Sequence, residues 1–306
     1  MINSLKVKQI NDDLMLTFTR IRSQSAMEYL MTYGWAILII AIAMSALFAL
    51  GVFNPSSFGP KASPGSCKVL RPDGPYTLSF ISISGLCNGE PPRYVSYSTG
   101  QQLVVNHEFF QGQSFTILAW IYWPSSLDLA NPGTSNGDLG YAWSGSGATS
   151  DEGFGIFSRS DHWYLNFYGD DLECSDGPST GKWYLFGASW NNATKQQTIW
   201  VNGVANCTRT SNGDLVTNEP LYLLDSAGTW DSGAYADGYV TNIQLYNTAL
   251  SANQIMAIYQ AGIGGVPPDL IKIEGWWPLN GNSNDYSGNN NDGSGSINYI
   301  SNYPSQ

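Results

Sequence analysis

The longest uninterrupted run of apolar residues lies near the beginning of the chain, from Trp35 to Phe53. These 19 residues contain no charge and no proline. A helix rises about 1.5 Å per residue, so a run of this length can cross the hydrocarbon core of a bilayer, which is about 30 Å thick. The pattern therefore predicts a hydrophobic helix that first resides in a membrane.

The spacing of polar and apolar positions changes after this helix. Residues 54–65, NPSSFGPKASPG, are rich in proline, serine and glycine and predict a linker. Residues 66–92 alternate around two turn signals and predict a strand pair, which we call the neck. From residue 93 to about residue 265, short alternating segments follow at even intervals, which favours a mainly β, two-sheet sandwich.

Three segments of this region show the pattern clearly. In FTILAWIYW, positions 115, 117, 119 and 121 share one face of a strand, and Trp120 and Tyr122 share the other. The pair Asn202-Gly203 in WVNGV predicts a hairpin turn. The segment SANQIMAIYQAG predicts a helix with Ser251 as its N-cap and Gly262 as its end.

Composition and charge narrow the class of protein. Only 12% of the 306 residues are charged, which is typical of turn-rich, exported β proteins, and the formal net charge is −11. The 13 lysines and arginines are scattered and form no basic stripe that could neutralise phosphates. We therefore expect no nucleic-acid partner.

The four cysteines indicate an oxidising compartment. They fall into two local pairs, Cys67 with Cys87 and Cys174 with Cys207, and their spacing does not fit zinc. Two disulfides are expected from this pairing. The sequons at Asn192 and Asn206 predict N-glycosylation and agree with export.

The residues before the apolar run carry a specific resemblance. RIRSQSAMEYL, residues 20–30, resembles the class III signal peptide of archaeal type IV pilins, although Ser23 stands where glycine or alanine is more usual. The resemblance implies that residues 1–23 are a leader, removed by a prepilin peptidase between Ser23 and Gln24. It also implies that the hydrophobic helix covers residues 24–53 and is about 45 Å long. Glu28 then becomes the fifth residue of the mature chain and pairs with the new α-amino group of a neighbouring subunit during filament assembly. The alternative is a plain signal anchor with Glu28 at the membrane edge.

A second resemblance covers about residues 94–262. SFTILAWIYW, GKWYLFGASWNNATKQQTIWVNGV and DGYVTNIQLYNTALSANQIMAIY resemble, in this order, a laminin G-like, concanavalin A-like jelly roll. That resemblance implies a binding fold for glycans or proteins, often with Ca²⁺, although some relatives cleave glycans. We assign the jelly roll to residues 93–265.

The C-terminal segment, residues 266–306, resembles the opening strand of the same kind of domain. Its core is GWWPLNGNSNDYSGNNNDG, residues 275–293. In a circular permutation the tail fills the first-strand position of its own sandwich; in strand donation it fills that position in a neighbouring subunit. A truncated second domain is the third alternative, but Trp276 and Trp277 would then need another burial site.

Oxygen-bearing side chains of the tail are candidate calcium ligands. Ca²⁺ prefers hard oxygen ligands and tight turns, and the tail is rich in asparagine, aspartate and glycine. The alternative is a solvated, asparagine-rich turn without metal. The candidate ligands are Asp285, Asn291, Asp292 and, from elsewhere in the fold, Asp237.

Catalytic residues are poorly represented. Asp171 and Glu173 share a strand face, but the Glu-x-Asp-x-Glu type of pattern of related glucanases is missing, so we expect no enzyme. Aromatic side chains near polar loops are candidates for stacking on sugar rings. The candidates are Trp143, Trp163 and Trp230.

Together these features predict an archaeal type IV pilus subunit that displays a laminin G-like head for adhesion outside the cell. Its precursor lies in the membrane, and its partners are other copies of the chain, the prepilin peptidase, the pilus assembly machinery and a glycan or surface ligand. The first alternative is a membrane-anchored glycan-binding lectin that does not polymerise. The second is a tethered glycan hydrolase.

Overall fold

A computed structural model describes residues 31, 33–45, 66–72, 78–84, 92–133, 137–145, 149–226 and 233–306. The chain divides into two compact units, Met1–Lys61 and Ala62–Gln306. In the first unit, residues 31 and 33–45 belong to a helix, α1. Among the described residues no helix combines the length and the hydropathy that a bilayer crossing requires. Ser23, Gln24, Glu28 and the linker 54–65 lie outside these residues, so the predictions made for them stay predictions.

The neck forms a hairpin of two strands, β1 (Ser66–Pro72) and β2 (Leu78–Ser84). The strands are antiparallel, with Ser66 opposite Ser84 and Cys67 opposite Ile83. This arrangement confirms the strand pair that the alternation predicts. The expected disulfide between Cys67 and Cys87 remains a prediction, because Cys87 and the side chain of Cys67 lie outside the described part of the chain.

Fourteen further strands build an antiparallel sandwich of two sheets. In chain order they are β3 (Val95–Ser98), β4 (Leu103–Val105), β5 (Phe115–Tyr122), β6 (Asp138–Ser144), β7 (Phe154–Arg159), β8 (His162–Asn166), β9 (Leu172–Glu173), β10 (Trp183–Asn191), β11 (Gln196–Val201), β12 (Val204–Thr210), β13 (Leu221–Leu223), β14 (Gly238–Tyr246), β15 (Ile273–Trp277) and β16 (Asn298–Ile300). One sheet has the order β12-β11-β10-β5-β14-β3-β16, with β15 also paired to β14. The other has the order β4-β13-β6-β7-β8-β9. The predicted mainly β sandwich is thus confirmed.

Side chains of β5 alternate between two hydrophobic clusters, one on each face of the sheet, as predicted. Phe115, Ile117, Ala119 and Ile121 pack into the cluster between the sheets. Leu118 and Trp120 face the opposite side, where a second cluster lies under the helix α2 (Ala252–Ala261). Each fully buried aliphatic side chain contributes about 1.5–3 kcal/mol, so the eight-stranded sheet is stabilised from both faces.

Helix α2 begins and ends where the sequence predicts. The N–H of Ser251 donates to Oε1 of Gln254 at 3.0 Å, which satisfies one free donor at the helix start. Ile255 and Ile258 are the buried residues of the helix. Gly262 takes a φ of 78° at the C-terminus, a conformation that favours glycine.

Asp170 organises the loops near one edge of the sandwich. Only 4% of its surface is exposed, and its carboxylate pairs with Arg209 and accepts hydrogen bonds from the Ser211 hydroxyl and from the Asn212 N–H, the latter at 2.6 Å. Burial alone would raise the pKa of Asp170, but the hydrogen bonds from Ser211 and Asn212 and the charge of Arg209 lower it below its ordinary value. The buried carboxylate therefore stays ionised.

The tail lies in the sandwich of its own chain. Strand β15 runs antiparallel to β14, with Trp277 opposite Ile243, and β16 pairs with β3. An isolated bridge joins Ser294 to Val104 of β4, the end strand of the other sheet. Trp276 and Trp277 are fully buried, on opposite sides of the eight-stranded sheet. This is the arrangement that the circular-permutation alternative predicts.

Candidate ligand-binding face

The outer face of the six-stranded sheet carries aromatic and charged side chains together. Alternation along β7 and β8 directs every second side chain away from the core, which leaves Phe157, Arg159 and Tyr164 on the outer face. The residues of these strands that pack into the core are Phe154, Ile156, Trp163 and Leu165. An antiparallel sheet normally presents polar residues on the side away from the core, so aromatic residues in this position need an explanation.

Cross-strand pairing brings the outer-face residues into rows. Phe157 of β7 lies opposite Tyr164 of β8, and Tyr164 lies opposite Glu173 of β9. In the adjacent row, Arg159 lies between Asp138 of β6 and His162 of β8. A further row contains Tyr222, Trp143, Gly155 and Asn166.

Phe157, Arg159 and Tyr164 form a compact group that we call the platform. The rings of Phe157 and Tyr164 stack with 5.6 Å between centroids and 16° between planes. The guanidinium carbon of Arg159 lies 4.9 Å from the Phe157 centroid and 5.3 Å from the Tyr164 centroid, within the range of cation–π attraction. Gly155 makes room for this group, because a Cβ there would lie 2.8 Å from Cε1 of Phe157.

A buried carboxylate fixes the orientation of the platform arginine. Asp138 is fully buried, and its two oxygens accept from Nε and Nη2 of Arg159 at 2.5 and 2.6 Å. A bidentate pair of this kind fixes the guanidinium plane as well as its position. The side chain of Arg159 is 28% exposed, so the arginine reaches solvent from a rigid base.

Glu173 and His162 border the platform. Nδ1 of His162 and Oε1 of Glu173 lie 2.5 Å apart. The hydrogen bond with His162, followed by that with Tyr164, lowers the pKa of Glu173. Burial and then the hydrogen bond with Glu173 raise the pKa of Tyr164. The tyrosine hydroxyl therefore stays protonated and donates to an ionised glutamate at neutral pH.

A cavity of about 440 Å³ lies at the end of the β4–β13 pair. Its described lining consists of Asn106, His107 and Glu108, which follow β4, and Pro220, which precedes β13. Tyr222 of the outer face comes two residues after Pro220. The cavity is large enough for a small ligand, and its lining side chains are mainly polar.

Comparison with known proteins decides the family. A family model described as the concanavalin A-like lectin/glucanases superfamily matches residues 97–256, more than half of the chain. The chain belongs to the concanavalin A-like lectin/glucanase superfamily. The jelly-roll resemblance is thereby confirmed over residues 97–256. No curated protein matches the chain.

Several solved structures are similar to this chain at low sequence identity. A candidate carbohydrate-binding protein from Bacteroides ovatus is 14% identical with a TM-score of 0.53, and the match covers 73% of this chain and 63% of that protein. A pentraxin from Limulus polyphemus is 14% identical with a TM-score of 0.44 and covers 68% and 93%. The sialyllactose-bound CBM40 of a Ruminococcus gnavus sialidase is 12% identical with a TM-score of 0.40 and covers 54% and 96%. The Bacteroides ovatus protein is the one of these three with a TM-score above 0.5, and at 14% identity it shows likeness of fold alone.

The concanavalin A-like sandwich does not expose the tryptophans that were predicted to stack on sugars. Trp163 is 1% exposed and packs between the sheets, 4.4 Å from Phe186. Trp143 points to the outer face but is fully buried, and its indole Nε1 has no hydrogen-bond partner in the described part of the chain. The prediction is wrong for both residues, because neither ring can reach a ligand. Trp230 lies outside the described residues.

The predicted calcium ligands of the tail have other partners. Asp285 accepts hydrogen bonds from the backbone N–H groups of Trp276, Ser287 and Asn291 at 2.8–2.9 Å. Asp292 accepts from the N–H of Asp285 at 2.7 Å. These carboxylates therefore hold the tail loop in shape.

The structure does not assemble a metal site from the predicted ligands. Asp237 lies immediately before β14, and burial raises its pKa. Within the described ranges, no three side chains of histidine, cysteine, aspartate or glutamate gather as metal ligands. Calcium binding stays a prediction.

The predicted disulfide between Cys174 and Cys207 is confirmed, with 5.7 Å between the Cα atoms. Cys174 follows β9 and Cys207 lies in β12, so the bond joins the end strands of the two sheets. The two predicted sequons lie at different places in the eight-stranded sheet. Asn192 is half-buried in the β10–β11 turn, and Asn206 is exposed on β12.

Proposed function

We propose that the concanavalin A-like sandwich binds carbohydrate through the platform. The observation that supports this proposal is the half-buried ring of Tyr164 beside an oriented, partly exposed Arg159 on the outer face of a sheet. The Phe157 ring is fully buried and supports Tyr164 from below through the ring stack. The apolar faces of sugar rings pack on such aromatic surfaces, and fixed polar groups at the border bind hydroxyls. The Bacteroides ovatus protein of the same fold, described as a candidate for carbohydrate binding, directs the test to glycans.

We also propose that binding occurs without hydrolysis. A glycosidase needs one carboxylic acid and one free carboxylate beside the substrate. The side chain of Asp171 accepts from the N–H of Phe167 at 3.0 Å, and Glu173 is engaged by His162 and Tyr164. Incubation of the full chain with polysaccharide should release no reducing sugar; release that is lost in Asp171→Asn would support the hydrolase alternative.

The binding test uses the full chain in detergent micelles and an array of oligosaccharides. Tyr164→Ala should abolish binding because it removes the half-exposed ring of the platform. Tyr239→Ala is the matched control, because Tyr239 is also half-buried and packs against Tyr97 with 4.8 Å between centroids, on the other sheet. Equal loss in both variants, or binding retained by Tyr164→Ala, would count against the platform.

The head is displayed, in this proposal, by an extracellular type IV pilus-like filament assembled from a membrane-inserted precursor. The large apolar residues of α1 between Met31 and Met44 are 42–66% exposed in the single chain, and exposed apolar surface of this extent needs lipid or another copy to cover it. The pilin-like leader around Ser23 and Gln24 and the position of Glu28 support assembly of copies.

Peptide mass spectrometry separates the filament from a lectin that only stays anchored. The protein is recovered from native membranes and from sheared extracellular material. A mature start at Gln24 in the sheared fraction supports the filament, and Glu28→Gln should then retain cleavage and impair assembly. An intact leader found in membranes alone would favour the anchored lectin.

A further inference from the structure

Strand β12 forms one end of the eight-stranded sheet. Its neighbour is β11, and no described strand pairs with its other side. End strands present unpaired backbone donors and acceptors and can pair with other chains unless something covers them. Arg209 is the charged residue of β12, and it is engaged by Asp170. Strand β12 itself therefore has no further charged residue that would prevent such pairing, and the exposed Asp176 carboxylate lies beside it at Asn206.

A β-bulge places Asn206 in a special position on this strand. Ile199 pairs with Cys207, but the next residue, Trp200, pairs with Ala205. Asn206 is the extra residue between these two pairs. A bulge redirects the side chain of its extra residue, and Asn206 is exposed, with Nδ2 2.6 Å from Oδ1 of Asp176. The amide therefore stands at the open edge, beside the disulfide that fixes Cys207.

The second sequon is arranged differently. Asn192 is half-buried in the β10–β11 turn; its N–H donates to Oγ of Ser114 at 2.9 Å, and its Nδ2 donates to the Gly112 carbonyl at 3.2 Å. Strand β10 lies inside the sheet, between β11 and β5. A glycan on Asn192 would not lie beside unpaired strand groups, which makes this sequon a suitable internal control.

We infer that Asn206 carries an N-linked glycan and that this glycan covers the open β12 edge, so that heads do not pair edge to edge. The inference rests on the proposed export of the head. The donor is an oligosaccharide linked through phosphate to a lipid. A bond forms between Nδ2 of Asn206 and the anomeric carbon, the bond from that carbon to the phosphate oxygen breaks, and Nδ2 releases one proton. The remaining N–H can still donate to Asp176.

The test expresses the full chain in an archaeal host that N-glycosylates its surface proteins, and maps glycan mass by peptide mass spectrometry. Asn206→Gln removes the acceptor. Thr208→Val breaks the sequon without changing Asn206, whereas Thr208→Ser preserves it. Association is followed by sedimentation velocity in detergent; α1 is common to all variants, so differences between them report the head.

The expected result is glycan mass on Asn206 in the unmodified chain and in Thr208→Ser, and its loss in Asn206→Gln and Thr208→Val. The two variants without glycan should shift to larger sedimenting species, and Asn192→Gln should not. An unmodified Asn206 on a chain that has reached the cell surface would overturn the inference and leave the proposed export intact. Loss of the glycan without any change in sedimentation would do the same. A chain retained in the cytoplasm would overturn the proposed export together with the inference.

Discussion

Removal of the Cys174–Cys207 disulfide should destabilise the sandwich by a predictable amount. The bond joins the end strands of both sheets at one side of the sandwich. The double substitution Cys174→Ala and Cys207→Ala leaves the strands intact and frees that side. A cross-link of this kind stabilises the native state mainly because it restricts the unfolded chain.

The size of the effect follows from the spacing of the two cysteines. They are 33 residues apart, and chain-entropy theory gives about 12.5 cal/mol/K for a loop of this length, or about 3.7 kcal/mol at 298 K. The sandwich comprises about 215 residues, and an unfolding entropy of about 2.1 cal/mol/K per residue converts this loss into a decrease in Tm of about 8 °C.

Differential scanning calorimetry of the full chain in detergent measures this decrease. The matched control is Cys67→Ala with Cys87→Ala. It removes the same number of cysteines from the neck and should leave the Tm of the sandwich unchanged. A decrease below about 2 °C in the Cys174 and Cys207 variant would refute the reasoning. It would mean that the edge is held by its strand pairing and by the Asp170 network without help from the cross-link.

Three further predictions concern the core, the acid response and the ligand. Trp277→Ala removes a fully buried ring and should lower the free energy of unfolding by about 3–5 kcal/mol, whereas Ile271→Ala, at an 88% exposed site, should change it little; equal effects in urea titrations would contradict the burial of the tail. The pKa of Asp170 is lower in the folded protein than in the unfolded chain, where it is about 3.9. The ionised carboxylate therefore stabilises the fold at any pH above about 3.9, and this contribution is lost as the pH falls through the folded pKa. Asp170→Asn should therefore be less stable at pH 7, and its stability should fall less steeply in acid; parallel pH profiles would contradict this. Among oligosaccharides that share a β-1,4 backbone, affinity should decrease with negative charge, because Glu173 borders the platform and the chain has a net charge of −11. Cellohexaose should bind about 5-fold more tightly than the corresponding oligouronate in calorimetric titration. Tighter binding of the oligouronate would show that attraction to Arg159 outweighs this repulsion.

The strands and α2 could be predicted because their signals are local. The alternation in FTILAWIYW and the Ser251 and Gly262 signals depend on neighbouring residues alone, and the structure follows them. Neighbouring residues do not show which of the two alternating sets of side chains in a strand faces the core. In GFGIFSRS, Phe154 points inward and Phe157 outward, and nothing near either residue distinguishes them. The platform was missed for this reason.

The error at the two tryptophans has the same origin, since it also depends on which strand face packs into the core. Trp163 was selected for its position near polar loops, yet its alternation with Leu165 places it between the sheets. In the tail, the density of aspartate and asparagine indicates oxygen ligands, but Asp285 uses its oxygens to bind backbone N–H groups. Alternation groups Trp163 with Leu165, and Tyr164 with His162, but the packing of the two sheets decides which group faces outward.

The position of the tail has a consequence for the order in which the protein can fold. Strand β16 lies beside β3, the first strand of the sandwich, and the Tyr303 hydroxyl donates to the carbonyl of Pro92, where the sandwich begins. Residues from the C-terminal part of the sandwich therefore pair with residues where the sandwich begins. Until the ribosome has released residues 273–300, the core lacks Trp277 and the sheet lacks two strands, so the growing head cannot close. A chain built in this way stays open during synthesis, which is the state in which a polypeptide can be threaded across a membrane.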